Sequence, residues 1–143
     1  MSSANTIDVL NRLLGIHQSS FLMYLTYARP FMRNGDESTA ESLAQMVADQ
    51  QTLSGRISTA ISDAGGQIGG GEFPMEFTSQ HDLAIEYLLH RAVEYQRGDI
   101  AAIESCVADL ALAPAAKALA DEALGLAKGH LESLEELVAP AQR

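Results

Sequence analysis

LNRLLGIHQSSFLMYLTYARPFM, residues 10–32, decides the fold. Read at helical spacing, it puts Leu10, Leu13, His17, Phe21, Tyr24, Ala28 and Phe31 on one stripe, three and four residues apart. A histidine sits in the middle of that apolar stripe. Leaving its ring unpaired in a core would cost about 1–3 kcal/mol. The question for function is therefore what His17 faces.

The rest of the chain repeats the pattern. Ser38 and Glu41 have capping-box spacing, and from there a second stripe runs Leu43, Met46, Gln50, Leu53, Ile57, Ile61 and Ala64. Gly65 and Gly66 stop that helix. A third stripe takes in Ile85, Leu89, Ala92, Gln96, Ile100, Ile103, Val107 and Leu110. Pro114 opens a fourth helix with Ala116, Leu119, Ala123, Leu126, His130, Leu134 and Leu137 inward. The expected helices cover residues 5–32, 39–64, 81–111 and 114–138 of a single domain, 1–143. The first helix is read as continuous and weakened at Pro30.

Composition agrees with an all-α chain. Ala, Leu and Glu dominate, and β-branched runs of period two are nearly absent. The 143 residues suffice for one domain with one sizeable core. Links 1–2 and 3–4 are short, which implies two antiparallel hairpins. The connection GGQIGGGEFPMEFTSQ, residues 65–80, is long enough to run the length of the bundle: about 15 residues span ~50 Å when extended. A helix of about 26 residues is only ~39 Å long. Phe73, Met75 and Phe77 alternate with Pro74 and Glu76, as in an extended segment lying half-buried on the bundle. The glycines lack the pattern of a phosphate-binding loop.

With 19 acidic and nine basic residues the net charge is −10, which disfavours nucleic acid and anionic membranes as partners. Cys106 is the single cysteine, so no internal disulfide or CxxC knuckle can form. MSSANTIDVL has neither the basic nor the apolar region of a signal peptide, and no apolar run reaches spanning length. A cytoplasmic protein is expected.

Four polar residues fall on inward stripes: His17, Gln50, Gln96 and His130. His17, Gln50 and His130 lie near mid-helix and can meet at one level of a bundle. One reading makes them ligands of a single transition metal ion, Fe or Zn. The other makes them a hydrogen-bonded cluster in which they satisfy one another. His90 and Glu94, one turn apart, read as a solvated face, and His81 as a group near a helix start. Tyr24 reads as a core tyrosine and Cys106 as a small core residue. Met23, Met32, Met46 and Met75 read as gap-fillers, and haem is not expected. Ser19, Ser20 and Ser54 have no group to orient a histidine for hydrolysis.

The residues LNRLLG at 10–15, Tyr24, and Tyr27, Ala28 and Arg29, with GHLESLEEL at 129–137, resemble bacterioferritins and related ferritin-like proteins. The resemblance spans nearly the whole chain. It implies a four-helix bundle with a long crossover between helices 2 and 3. It also implies two irons held by a glutamate on helix 1, a Glu-x-x-His on helix 2, a glutamate on helix 3 and a Glu-x-x-His on helix 4. Carried over, those positions fall on His17; on Gln50 and Leu53; on Ala92, or Glu94 if the helix is shifted; and on Ala127 and His130. Only His130 keeps the family residue. The stripes place no carboxylate inside, and a di-iron centre needs bridging carboxylates. The expectation is a ferritin-like bundle with a degenerate di-iron site and no ferroxidase activity, serving a structural or partner-binding role. The alternative is a reduced mononuclear site at His17 and His130 with Gln50. Such bundles commonly pair, and Leu22, Leu25 and Val47 are expected to form an exposed apolar edge for a homodimer.

Overall fold

A computed structural model describes residues 3–28, 36–69, 73–80 and 84–138. Among them the chain is helical, with no strand. The long helices are α1 (Ser3–Gln18), α2 (Phe21–Ala28), α3 (Glu37–Asp63), α4 (Ile85–Asp109) and α5 (Pro114–Val138), and a short 3-10 helix covers Met75–Gln80. Four helical arms pack against one another, the first being α1 continued by α2. α1 lies chiefly on α3, and α4 on α5. No helix among the described residues is long and apolar enough to cross a membrane.

The first arm departs from the continuous helix expected over 5–32. It breaks at Ser19 and Ser20, and the reason is a serine cap. The Ser20 carbonyl accepts from the Tyr24 amide, and its Oγ accepts from the Met23 amide at 3.1 Å. That is the geometry of an N-cap, so Ser20 starts a new helix instead of continuing the old one. The break changes which side chains are covered. Residues 21–25 are all buried, although they are consecutive. Leu22, Leu25 and Val47 are therefore core residues, at 2%, 7% and 7% exposure, and form no exposed edge for a second copy. The expected end near Pro30 and the turn after it lie outside the described residues.

α3 begins at Glu37, ahead of Ser38, so the capping-box reading fails there; Asp36 is the N-cap, its carbonyl accepting from Ala40. The C-terminal signal works as read. Gly65 takes φ +81°, its amide donates to Ser62 and the Gly66 amide donates to Ile61, which together make a Schellman motif. The following segment is fastened to α1. Asn11 Nδ2 donates to the Gln67 carbonyl at 2.9 Å, and Asn11 Oδ1 accepts from the Gly69 amide at 2.8 Å. A Cβ at Gly66 would come within 2.6 Å of the Ile7 side chain.

The piece expected to be extended is instead a 3-10 turn from Met75, started by the Phe77 amide donating to the Pro74 carbonyl. Phe77 is buried, Phe73 is half-buried and Met75 is 85% exposed. Phe77 packs on Phe21, Tyr24 and Tyr95 with ring centroids 4.9–5.3 Å apart. Tyr24 thus takes the core role expected of it. α5 begins at Pro114 as read, with Ala113 before it accepting from the Lys117 amide.

The core has two apolar clusters. One takes Phe21, Met46, Leu88 and Leu134 with their neighbours. The other takes Leu13, Ile57, Ile103 and Ala123 with theirs. On every arm, polar positions separate the residues of the two clusters: His17 and Ser20 on the first, Gln50 on α3, Gln96 on α4 and His130 on α5. The bundle thus has a polar layer between two apolar ends.

Candidate functional site

The polar layer surrounds a narrow cavity lined by His17, Gln50, Gln96, Asp99 and His130, with Ile16, Ile103, Leu126 and Ala127 as its apolar walls. Its volume is about 10 Å³, the lower edge of what one water molecule needs. The structure therefore brings His17, Gln50 and His130 around one space, as their stripe positions predict.

They do not bond one another, however. His17 is 3% exposed, and its Nδ1 donates to the Leu13 carbonyl at 2.9 Å. A carbonyl can only accept, so the proton is on Nδ1 and Nε2 of the neutral ring is an acceptor. Burial lowers the proton affinity of His17, the Leu13 carbonyl opposes this, and the nearby His130 adds to the lowering. The Gln50 amide oxygen accepts from Ser20 Oγ at 2.8 Å. Ser20 thus caps α2 and ties it to α3 with one hydroxyl. Gln96 Nε2 donates to the Ala127 carbonyl at 3.0 Å and locks α4 to α5.

His130 is also buried, at 6% exposure, but it reaches toward solvent. Its Nε2 donates to Asp49 Oδ2 at 3.0 Å, and Asp49 Oδ1 accepts from Gln45 at 3.0 Å. The bond to His130, helped by Gln45, holds the Asp49 carboxyl below the usual carboxylate range. Asp49 also lines an open depression between α3 and α5, beside the ion pair of Arg56 with Glu122.

Two acids of this site were missed in the sequence. Asp49 precedes Gln50 on the rim of the inward stripe and bends in to meet His130. Asp99 lines the cavity itself. The signal for Asp99 was present: Ala92, Gln96, Asp99, Ile103, Cys106 and Leu110 recur at alternating steps of four and three, the seam of a packed helix. Of these, all but Asp99 are buried, whereas Ile100 and Val107, which were read as inward, are half-buried. A half-buried carboxyl therefore stands on the cavity wall. Burial alone pushes the Asp99 carboxyl up to about 7 from an ordinary 3.8.

The remaining candidates fall elsewhere. His90 and Glu94 are exposed, and Glu94 pairs with Arg91 at 2.9 Å. Cys106 is buried, with Arg12 Nη2 at 3.8 Å from its sulfur. Met23 and Met46 are packed in the core, and His81 and Met32 lie outside the described residues. Among the described residues no three His, Cys, Asp or Glu side chains are gathered where they could hold a metal ion. Comparison with protein-family models, curated proteins and solved structures finds no match to this chain.

Proposed function

We propose that this chain is a ferritin-like bundle, two antiparallel hairpins joined by a long crossover, that works as a structural or partner-binding protein and not as a ferroxidase. The pairing of α1 with α3 and of α4 with α5 supports the hairpins. So does the sharing of one apolar cluster by the first part of α1 and the second part of α3. The observation that carries the functional reading is the donor set around the central cavity. It consists of two imidazoles, two carboxamides and one carboxyl, Asp99. Burial inclines that carboxyl to keep its proton near neutral pH. A two-iron centre needs several ionised carboxylates that bridge the metals and offset their charge. Here one amide oxygen is already engaged by Ser20, and the second carboxylate, Asp49, is engaged by His130.

The test is metal content and iron oxidation in protein purified without a histidine tag. The expected result is metal far below one equivalent per chain and Fe(II) oxidation no faster than buffer. About one metal per chain, lost in His17→Ala, would replace this reading with a mononuclear site at His17, Gln50 and His130. Two irons per chain with rapid oxidation would overturn it altogether.

A further inference from the structure

The hydrogen bonds of the polar layer leave a lopsided set of atoms over. Nδ1 of His17 gives its proton to the Leu13 carbonyl, so Nε2 of the neutral ring is a bare acceptor. Nε2 of His130 donates to Asp49, which leaves Nδ1 of that ring, in its neutral form, a bare acceptor too. Gln96 uses its amide nitrogen on the Ala127 carbonyl and keeps Oε1 as an acceptor. Gln50 accepts from Ser20 through Oε1 and keeps its amide nitrogen, a donor. Among the described residues none of these four atoms has a hydrogen-bond partner.

The four residues line one cavity, each from a different arm: His17 from α1, Gln50 from α3, Gln96 from α4 and His130 from α5. The half-buried Asp99 stands on the same wall, and no Lys or Arg lines it. Acceptors cannot bond one another, so whatever occupies the cavity must donate. A space of about 10 Å³ holds a single water-sized group. A lone metal ion would fit by size, but among the described residues no three His, Cys, Asp or Glu side chains are gathered to hold one. Water has two protons to give, two lone pairs to accept with and several polar partners here.

We propose that the central cavity is a binding site for one ordered water molecule. The water donates to two of the bare acceptors, His17 Nε2 among them, and accepts from the Gln50 amide nitrogen. Within the layer the direct bonds each link at most two arms. Through the water, His17 on α1 and Gln50 on α3 share a partner with Gln96 on α4 or His130 on α5. The inference goes beyond the functional reading above and shares with it only a metal-free centre.

The experiment is magnetic relaxation dispersion of the solvent around the full chain, which counts waters held for longer than the protein takes to tumble. His17→Phe removes the acceptor and fills the space with a ring. The wild type should hold on the order of one long-lived water per chain more than this variant. In NMR spectra of the wild type, a dipolar contact from water should reach His17 Hδ2, which lies beside Nε2 and away from the exchanging Nδ1 proton. If His17→Phe does not fold, that contact decides alone. Equal counts in the two proteins, or no contact at Hδ2, overturn the proposal. Metal content of the same preparation separates the failures. Metal-free protein without the water overturns this inference alone, whereas about one metal per chain in place of the water overturns the functional reading as well.

Discussion

The two sides of the polar layer solve the same problem differently. On the side of α1, α2 and α3, His17, Ser20 and Gln50 are all buried and all bonded within the protein. On the side of α4 and α5, His130 passes its hydrogen bond out to a carboxylate whose side chain is 36% exposed, and the half-buried Asp99 has no partner among the described residues. The first side is closed and bonds these three groups internally, although the buried Ser54 Oγ on α3 has no hydrogen-bond partner among the described residues. The second is half open and carries the charge. A buried polar group is costly only when it is unsatisfied, so the bonds of the first side fasten the bundle, whereas those of the second are shared with solvent.

The comparison breaks most severely if the closed side is opened. Leu13 is wholly buried, and its carbonyl holds His17 in place. Leu13→Ala should cost about 2–5 kcal/mol in urea denaturation. It should also have a pH signature. The proton affinity of His17 is lowered, so the stability it confers is present above its ordinary 6.5 and is lost as pH falls through the lower folded value. Water admitted beside the ring would weaken that dependence, and unchanged acid sensitivity in Leu13→Ala would argue against desolvation as the cause.

Ser20→Ala should come next, at roughly 1–3 kcal/mol, because one hydroxyl serves both the α2 cap and Gln50. Ser20→Thr keeps the hydroxyl and should recover most of the loss. Equal losses in the two variants would show that packing, not the hydroxyl, matters here. The smallest effect belongs to the open side. Asp49→Asn should cost less than about 1 kcal/mol, since the carboxylate is more than a third exposed and screened. The stability that Asp49 contributes is present above its ordinary 3.8 and is lost as pH falls below it, so the two proteins should converge at low pH. A loss of several kcal/mol would mean that the two sides are equally buried.

What could be read without coordinates follows from local rules. The stripes of α3 and α5 were legible because a helix facing one core must repeat every three or four residues. Gly65 and Pro114 were legible because left-handed backbone and a missing amide have few places to go. The break at Ser19 and Ser20 was not, since a serine pair is compatible with both a helix interior and a cap. Leu22 and Leu25 were misplaced for the same reason: once the helix restarts, its covered faces no longer follow from the preceding stripe. The Ser38 capping box failed because the same pattern also occurs inside a helix, and only the chain path selects Asp36.

The sequence by itself determined that this chain is helical, where most of its helices run, and that two histidines and two glutamines lie along their inward faces. These properties depend on period and composition, which are local. Only the tertiary structure decided who satisfies whom: His17 with its own backbone, Gln50 with Ser20, and His130 with Asp49. Hydrogen bonding and desolvation depend on distance and neighbours, and residues far apart in the chain acquire those only when the helices pack.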